Sequence, residues 1–268
     1  MSSSVRTMEI GMAWRFIRSA SLLLILLGTN STTLSAGMDE ALAAFSAGDY
    51  TATIEELEPL AGQGDPRAKL LLGRMYFMTA NGDQSKYRDS FELLLPFAEA
   101  GDPDLQLTLG VMYHNGFGVE RDYGQALYWL RKSADQGYVD AYPLIGEIYA
   151  DGEGVAKDKT EAARWYLLSA NAGDIRGQYG LGILHMRGNG VVRDLVLAHR
   201  WLRLSAAGGY DRARQALREL TESITPKQIA EAKGDGADWL EQRDDKTKQF
   251  FADFHDLEKL LHGPEAAQ

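Results

Sequence analysis

Three stretches of this chain are one pattern written three times: GFGVERDYGQALYWL from Gly116, GEGVAKDKTEAARWYL from Gly152 and GNGVVRDLVLAHRWL from Gly188. The second glycine falls at Gly118, Gly154 and Gly190, the aspartate at Asp122, Asp158 and Asp194. The alanine falls at Ala126, Ala162 and Ala198, the tryptophan at Trp129, Trp165 and Trp201. Each series advances by 36 residues. A fixed period of this length constrains the fold more than any single motif. Each copy is one supersecondary unit that cannot bury its apolar face alone, so neighbouring copies must stack into an elongated array. The period also decides how to read a glycine-rich loop that runs into a helix. A nucleotide cradle is normally built once and carries a following Lys-Ser/Thr, whereas this loop recurs and carries an aspartate. It reads as a turn between helices.

Each copy holds two apolar segments of helical period. In LQLTLGVMYHN (105–115), Leu105, Leu109, Met112 and Tyr113 share one face. In YGQALYWLRKSADQG (123–137), Ala126, Leu127, Leu130 and Ala134 do the same. Gly101, Gly137, Gly173 and Gly209 sit where a left-handed residue closes the second helix. Asp65-Pro66 and Asp102-Pro103 are N-cap and first-turn pairs that start the first helix. A glycine also recurs inside the first helix, at Gly73, Gly110, Gly146 and Gly182. Such a glycine costs about 1 kcal/mol against alanine. Its retention predicts a close crossing of the second helix, expected at Ala126, Ala162 and Ala198, and the tryptophans are expected to pack between hairpins.

The pattern A-x4-G-x2-Y, G-x-G-V-x2-D, A-x2-W, A-x2-G resembles the Sel-one-like repeat family, a relative of the tetratricopeptide repeats. Ala141, Gly146, Tyr149, Gly152, Gly154, Val155, Asp158, Ala162, Trp165, Ala170 and Gly173 match it without a gap. His185 takes the tyrosine's place in the fourth unit, and Thr79 to Asp83 replaces the glycine loop of the first. The resemblance implies an all-α, right-handed α-solenoid of helical hairpins over residues 38–220, with units of about 67–102, 104–138, 140–174 and 176–210. Gly48 to Gly64 reads as a lone second helix of a degenerate leading unit, and 211–221 as a first helix closing the array. In the terminal segment 221–268, Thr225-Pro226-Lys227-Gln228 is a capping box. Residues 237–262 read as an amphipathic helix with Phe250, Phe254, Leu257 and Leu261 on one face. That segment is expected either to cap the array or to dock on a partner or membrane surface.

The resemblance further implies that partners are held on the concave face formed by the first helices. The candidate contacts there are Arg67, Arg74, Phe77, Asp104, His114, Asn115, Asp140, Glu147, Asp151, Arg176, Tyr179 and Arg187. Charges along this set alternate basic, acidic, basic, as an extended peptide with complementary blocks would require. The function implied is a non-catalytic adaptor of the cell envelope that binds a protein or peptide. The alternative is a cell-wall or β-lactam hydrolase like the cysteine-rich members of the family, whose paired cysteines this chain lacks, having none.

Other chemistry finds no support. The net charge of −10 shows no basic stripe for nucleic acid. The five histidines, His114, His185, His199, His255 and His262, show no HExxH spacing, and no GxSxG or SxxK nucleophile signature occurs. No catalytic residue, metal or cofactor is expected. The N-terminus has the layout of a secretory leader spanning 1–36. Arg15 and Arg18 form a basic region, Ala20 to Leu27 an apolar run and Ser35-Ala36-Gly37 a small-residue end. The apolar run is shorter than the roughly 20 residues of a membrane span. Met1 and Met12 both stay open as the start. Cleavage near Ala36 or Gly37 would place the chain in the periplasm or outside the cell, with no integral span. Loss of residues 1–36 removes three Arg and one Glu, taking the charge from −10 to −12.

Overall fold

The structure, a computed structural model, describes residues 32–233. The leader up to residue 31 and the amphipathic segment 237–262 lie outside the described residues. Among those described, twelve helices and no strand are found. They are α1 (Thr32–Ser46), α2 (Tyr50–Gly62), α3 (Pro66–Thr79), α4 (Gln84–Glu99), α5 (Pro103–Asn115) and α6 (Tyr123–Ala134). They continue with α7 (Ala141–Asp151), α8 (Lys159–Asn171), α9 (Ile175–Arg187), α10 (Leu195–Ala207), α11 (Asp211–Thr221) and α12 (Pro226–Lys233).

Aspartates start most of these helices. Asp65, Asp102 and Asp174 cap first helices, and Asp122, Asp158 and Asp194 cap second helices. In each case a side-chain oxygen accepts one or two backbone N–H groups of the first turn. A cap of this kind contributes about 1 kcal/mol. Tyr138 and Tyr210 stand where the 36-residue period would place the next first-helix caps. There α7 begins only at Ala141, and neither it nor α11 has a side-chain cap. Helix ends follow the glycines. Gly116, Gly152 and Gly188 are left-handed closures of first helices, donating to Met112, Ile148 and Leu184 four residues back. In the degenerate first unit Asn81, at φ 47°, and Gly82, at φ 95°, take over this turn.

Two compact units divide the chain. The first comprises residues up to Leu105 together with Val111–Arg121; the second comprises Gln106–Gly110 and everything from Asp122. In the first, α1, α2 and α3 bury Met38, Ala41, Leu57, Leu60, Ala68, Leu72 and Met75 together. Gly48 to Gly64 is therefore not a lone helix, because α2 pairs with α1 as a complete leading hairpin. Met38 and Ala41 in α1 are buried in this core, which the polar run before them concealed. In the second unit α10, α11 and α12 close the array around Ala198, Leu202, Ala213, Ala216 and Leu220, with Ile229 of α12 packed on top. The capping box forms as the sequence indicates: Gln228 N–H donates to Thr225 Oγ1 and Thr225 N–H to Gln228 Oε1.

The glycine in the first helix meets the alanine only at Gly110, whose Cβ would stand 3.3 Å from Ala126 O, and even there a larger side chain is nearer. A Cβ on Gly73, Gly110 or Gly182 would lie 2.8, 2.7 and 2.8 Å from Leu94, Leu130 and Leu202, and one on Gly146 would lie 2.7 Å from the Tyr166 ring. The second helix thus places its large side chain, four residues after the alanine in the GxG-loop repeats, over the bare glycine backbone. The alanines Ala126, Ala162 and Ala198 are fully buried beside it. Of the tryptophans, Trp129 and Trp165 are buried and Trp201 half-buried.

The second glycine of each loop has a different use. A Cβ on Gly118 would lie 2.3 Å from Arg88 N, one on Gly154 would lie 2.5 Å from Tyr123 Cβ, and one on Gly190 would lie 2.3 Å from Lys159 C. Each loop is therefore laid on the N-terminus of the preceding repeat's second helix. Gly118 N–H donates to Gln84 Oε1 at 2.8 Å and Thr160 Oγ1 to Gly190 O at 3.1 Å. The loop is a fastening between consecutive repeats as well as a turn within one.

Candidate functional site

Most of the candidate partner contacts are already used by the fold. Arg74 is 4% exposed, and its guanidinium pairs with Asp104 at 3.0 Å, joining the first helices α3 and α5. Phe77 is buried and makes edge contacts with Tyr87 at 5.6 Å and Phe117 at 6.3 Å, while Tyr87 and Phe117 stack at 4.6 Å. Arg67 pairs with its own cap Asp65, and Arg176 pairs likewise with Asp174, both at 2.8 Å. The Arg67 guanidinium holds the Asp65 carboxyl below its ordinary range. Asp174 is lowered too; Arg176 and the backbone N–H groups outweigh the burial that opposes them. Asp140 is buried and lies 3.5 Å from the same Arg176. Asn115 donates to Val111 O in its own helix. Alternating charge along the first helices thus reflects ion pairs within the protein as much as a face left for a ligand. The sequence pattern could not show the Arg74–Asp104 and Arg176–Asp140 pairs, because they close between residues 30 or more apart.

Glu147, Tyr179, His114, Asp151 and Arg187 keep some or full exposure. Four of them belong to the second unit, and there they meet groups that the repeat pattern did not single out. The first helices α7, α9 and α11 lie side by side. Glu147 projects from α7, Arg176 and Tyr179 from α9, and Tyr210 and Arg212 from the start of α11. Tyr179 and Tyr210 meet edge to face at 5.2 Å. Tyr166 reaches this surface from α8 behind it. A Cβ on Gly146 or Gly180 would lie 2.7 or 2.8 Å from its ring, so the ring passes between two first helices where both lack a side chain.

The electrostatics of this patch are unusual for the chain. Burial pushes the Glu147 carboxyl up to about 7, with Arg176 pulling it back and Asp151 adding to the rise. Burial, reinforced by Glu147 and Asp151, pushes the Tyr166 phenol far above its ordinary range, so it stays a neutral hydroxyl. Tyr210 is raised in the same sense, mainly by burial. Glu147 makes no hydrogen bond or ion pair among the described residues, although it lies in the field of Arg176 and Arg212. His185, 1% exposed, fills the tyrosine position of its repeat. Burial pushes its pKa down, and Nδ1 lies 3.1 Å from Val192 O. No group of His, Asp and Glu among the described residues is arranged to hold a metal ion.

The Glu147 shift has a consequence for stability. Its folded value of about 7 lies above the ordinary carboxyl value. Between those two values the folded protein holds a proton that the unfolded chain has released. The stability associated with this group is present in acid and lost as pH rises through about 7. Glu147→Gln, neutral throughout, is therefore expected to unfold at a higher denaturant concentration than the wild type at pH 8. The gain is on the order of 1–3 kcal/mol. It should vanish by pH 4.5, and a gain independent of pH would count against the buried carboxylate.

Comparison with known proteins agrees with the hairpin geometry. Residues 103–138, 140–174 and 175–210 each match the Sel1 repeat. A Sel1 repeat protein from Oxalobacter formigenes is 39% identical over 49% of this chain and 98% of its own, with a TM-score of 0.44. A protective antigen of uropathogenic Escherichia coli with an SLR fold aligns over 96% of this chain at 24% identity and a TM-score of 0.57; the chain spans 56% of that protein's length. Helicobacter pylori cysteine-rich protein B aligns over 52% of this chain at 19% identity, with a TM-score of 0.40. No curated protein sequence matches the chain.

Proposed function

The chain belongs to the Sel1 repeat family, and from that premise we propose that it is a non-catalytic scaffold of the cell envelope, holding a protein or peptide partner on its first-helix face. Sel1 repeat proteins are generally protein-interaction scaffolds. The observation that carries the reading to this chain is the division of labour along the repeat. Residues that follow the 36-residue period are consumed by caps, crossings and loop contacts. Residues that break it, among them Glu147, Tyr166 and Gly180, gather on one first-helix surface. No helix among the described residues is long and apolar enough to cross a membrane.

The envelope placement rests on the leader-like sequence of 1–36. Cleavage after Ala36 or Gly37 keeps Met38 and Ala41, the buried anchors of α1, on the mature chain. Two baits test the proposal by cross-linked affinity purification from the native envelope: the wild type, and a variant carrying Asp151→Ala, Tyr179→Ala and Arg187→Ala, none of which is buried. A partner recovered with the first bait and lost with the second is expected. A partner retained by both moves the surface elsewhere, and recovery of the unprocessed chain only from the cytoplasm removes the envelope part.

A further inference from the structure

A repeat protein carries its own internal control: each position can be compared with its copies one period away. Position 166 is a leucine in the neighbouring copies, Leu130 and Leu202. Position 180 is Leu144 and Thr108 in the two preceding copies, and position 147 is Val111 and Ile183 on either side. The third full unit and the helix that follows it thus depart at three places, and the departures are spatially coupled. Gly180 together with the standard Gly146 opens the slot that lets the Tyr166 ring through, and Glu147, the neighbour of Gly146 in α7, acts on the Tyr166 phenol. Packing does not demand these changes, because leucine and a second side chain suffice in the other copies. They introduce a glycine into a helix interior, at about 1 kcal/mol. They also place an unpaired carboxylate in a partly dehydrated position, which is costly unless something charged arrives to meet it.

We infer that Glu147, Tyr166, Tyr179 and Tyr210 form a pocket that takes a lysine or arginine side chain from an extended peptide segment of the partner. A cation is favoured over an anion on three grounds. The nearest arginine, Arg176, is already committed to Asp174 at 2.8 Å and Asp140 at 3.5 Å. The other, Arg212, acts on Glu147 less strongly than Arg176 or Asp151 does. The charges acting on Glu147 besides these two arginines are both acidic, Asp151 and Glu153. Tyrosine rings offer a negative face to a cation, and the neutral Tyr166 hydroxyl is free to accept a hydrogen bond from an ammonium or guanidinium. This inference rests on the scaffold reading and narrows it to one ligand chemistry.

The test uses a random linear peptide library selected against the full chain, with the enriched peptides then measured against variants. Enriched peptides are expected to share a lysine or arginine. Their affinity should fall roughly thirtyfold or more for Glu147→Gln, the loss typical of one partner of a desolvated charge pair. Affinity should fall about tenfold for Tyr179→Ala. Because Glu147→Gln is expected to melt no lower than the wild type, lost binding cannot be ascribed to unfolding. Enrichment of peptides lacking a basic residue, or of basic peptides that bind Glu147→Gln equally well, overturns the cation assignment and leaves the scaffold reading standing. If no peptide is enriched the inference also falls, and the scaffold reading is then decided by the two-bait cross-linking alone.

Discussion

Gly190→Ala is expected to destabilise the protein by about 3 kcal/mol, and Gly173→Ala by only about 1 kcal/mol. Both glycines have left-handed backbones, φ 75° at Gly190 and 84° at Gly173. Any L-residue placed there bears the same conformational strain, on the order of 1–2 kcal/mol. The two differ in what surrounds them. Nothing lies within 4 Å of a Cβ on Gly173, whereas a Cβ on Gly190 would lie 2.3 Å from the Lys159 carbonyl carbon and 2.4 Å from its oxygen. Backbone at a helix start cannot swing aside as a side-chain tip can, so the loop must lift from α8. Lifting also breaks the Thr160 to Gly190 hydrogen bond. Urea unfolding of the two variants measures the difference. Equal losses would show that the second glycine serves only its own turn, and that the loops do not fasten one repeat to the next.

The second large effect concerns Tyr166 and Gly180. Gly180→Leu puts a side chain where a Cβ alone would stand 2.8 Å from three atoms of the Tyr166 ring. A loss of about 3 kcal/mol is expected, the upper range for overpacking a filled site. Tyr166→Leu alone leaves part of the slot empty and should cost about 1–2 kcal/mol. The double variant restores the leucine pair that the preceding repeat has at Leu130 and Leu144. It should recover to within about 1 kcal/mol of the wild type, a coupling of several kcal/mol in a double-mutant cycle. Strictly additive losses would mean that ring and glycine did not arise as a matched pair. The same double variant lacks the ring and is expected to stay folded, so it can report on peptide binding with little loss of stability.

Much of this could be read from the period alone. Helix boundaries follow from Asp at the start and Gly at the end, because both act through local backbone chemistry. Residues 211–221 became α11 to the residue, and the Thr225 capping box closes as written. The nearest partner of each helical glycine lies one turn beyond the expected alanine, which itself comes close only at Gly110. Spacing tells which face of a helix is apolar, but not which side chain on that face bridges to the neighbour. The candidate contacts fared according to reach. Arg74, Phe77 and Asp140 have the polarity or position of ligand groups, yet Arg74 is matched by Asp104 thirty residues away and Phe77 by Phe117 forty away. Tyr166 sits on a second helix, and it reaches the first-helix face only because Gly180 joins the repeat glycine Gly146 in leaving room for its ring. The usable signal was the simultaneous break of the period at 166 and 180.

The way each GxG loop rests on the helix before it also sets where the chain can be divided. A hairpin cut out by its own two helices would leave with its loop stripped of its seat, and would leave its predecessor's helix start bare. The length that travels intact is staggered: the second helix of one copy, the first helix of the next, and that copy's loop. The compact first unit follows this rule at its end, since it reclaims residues 111–121, loop included, and stops at Arg121 before α6 begins, while Gln106–Gly110 in the middle of α5 go with the second unit. Gene segments added or lost in this array would therefore stay in frame with the architecture when their ends fall just ahead of Asp122, Asp158 or Asp194. Shortened versions for the laboratory are best trimmed at those joints.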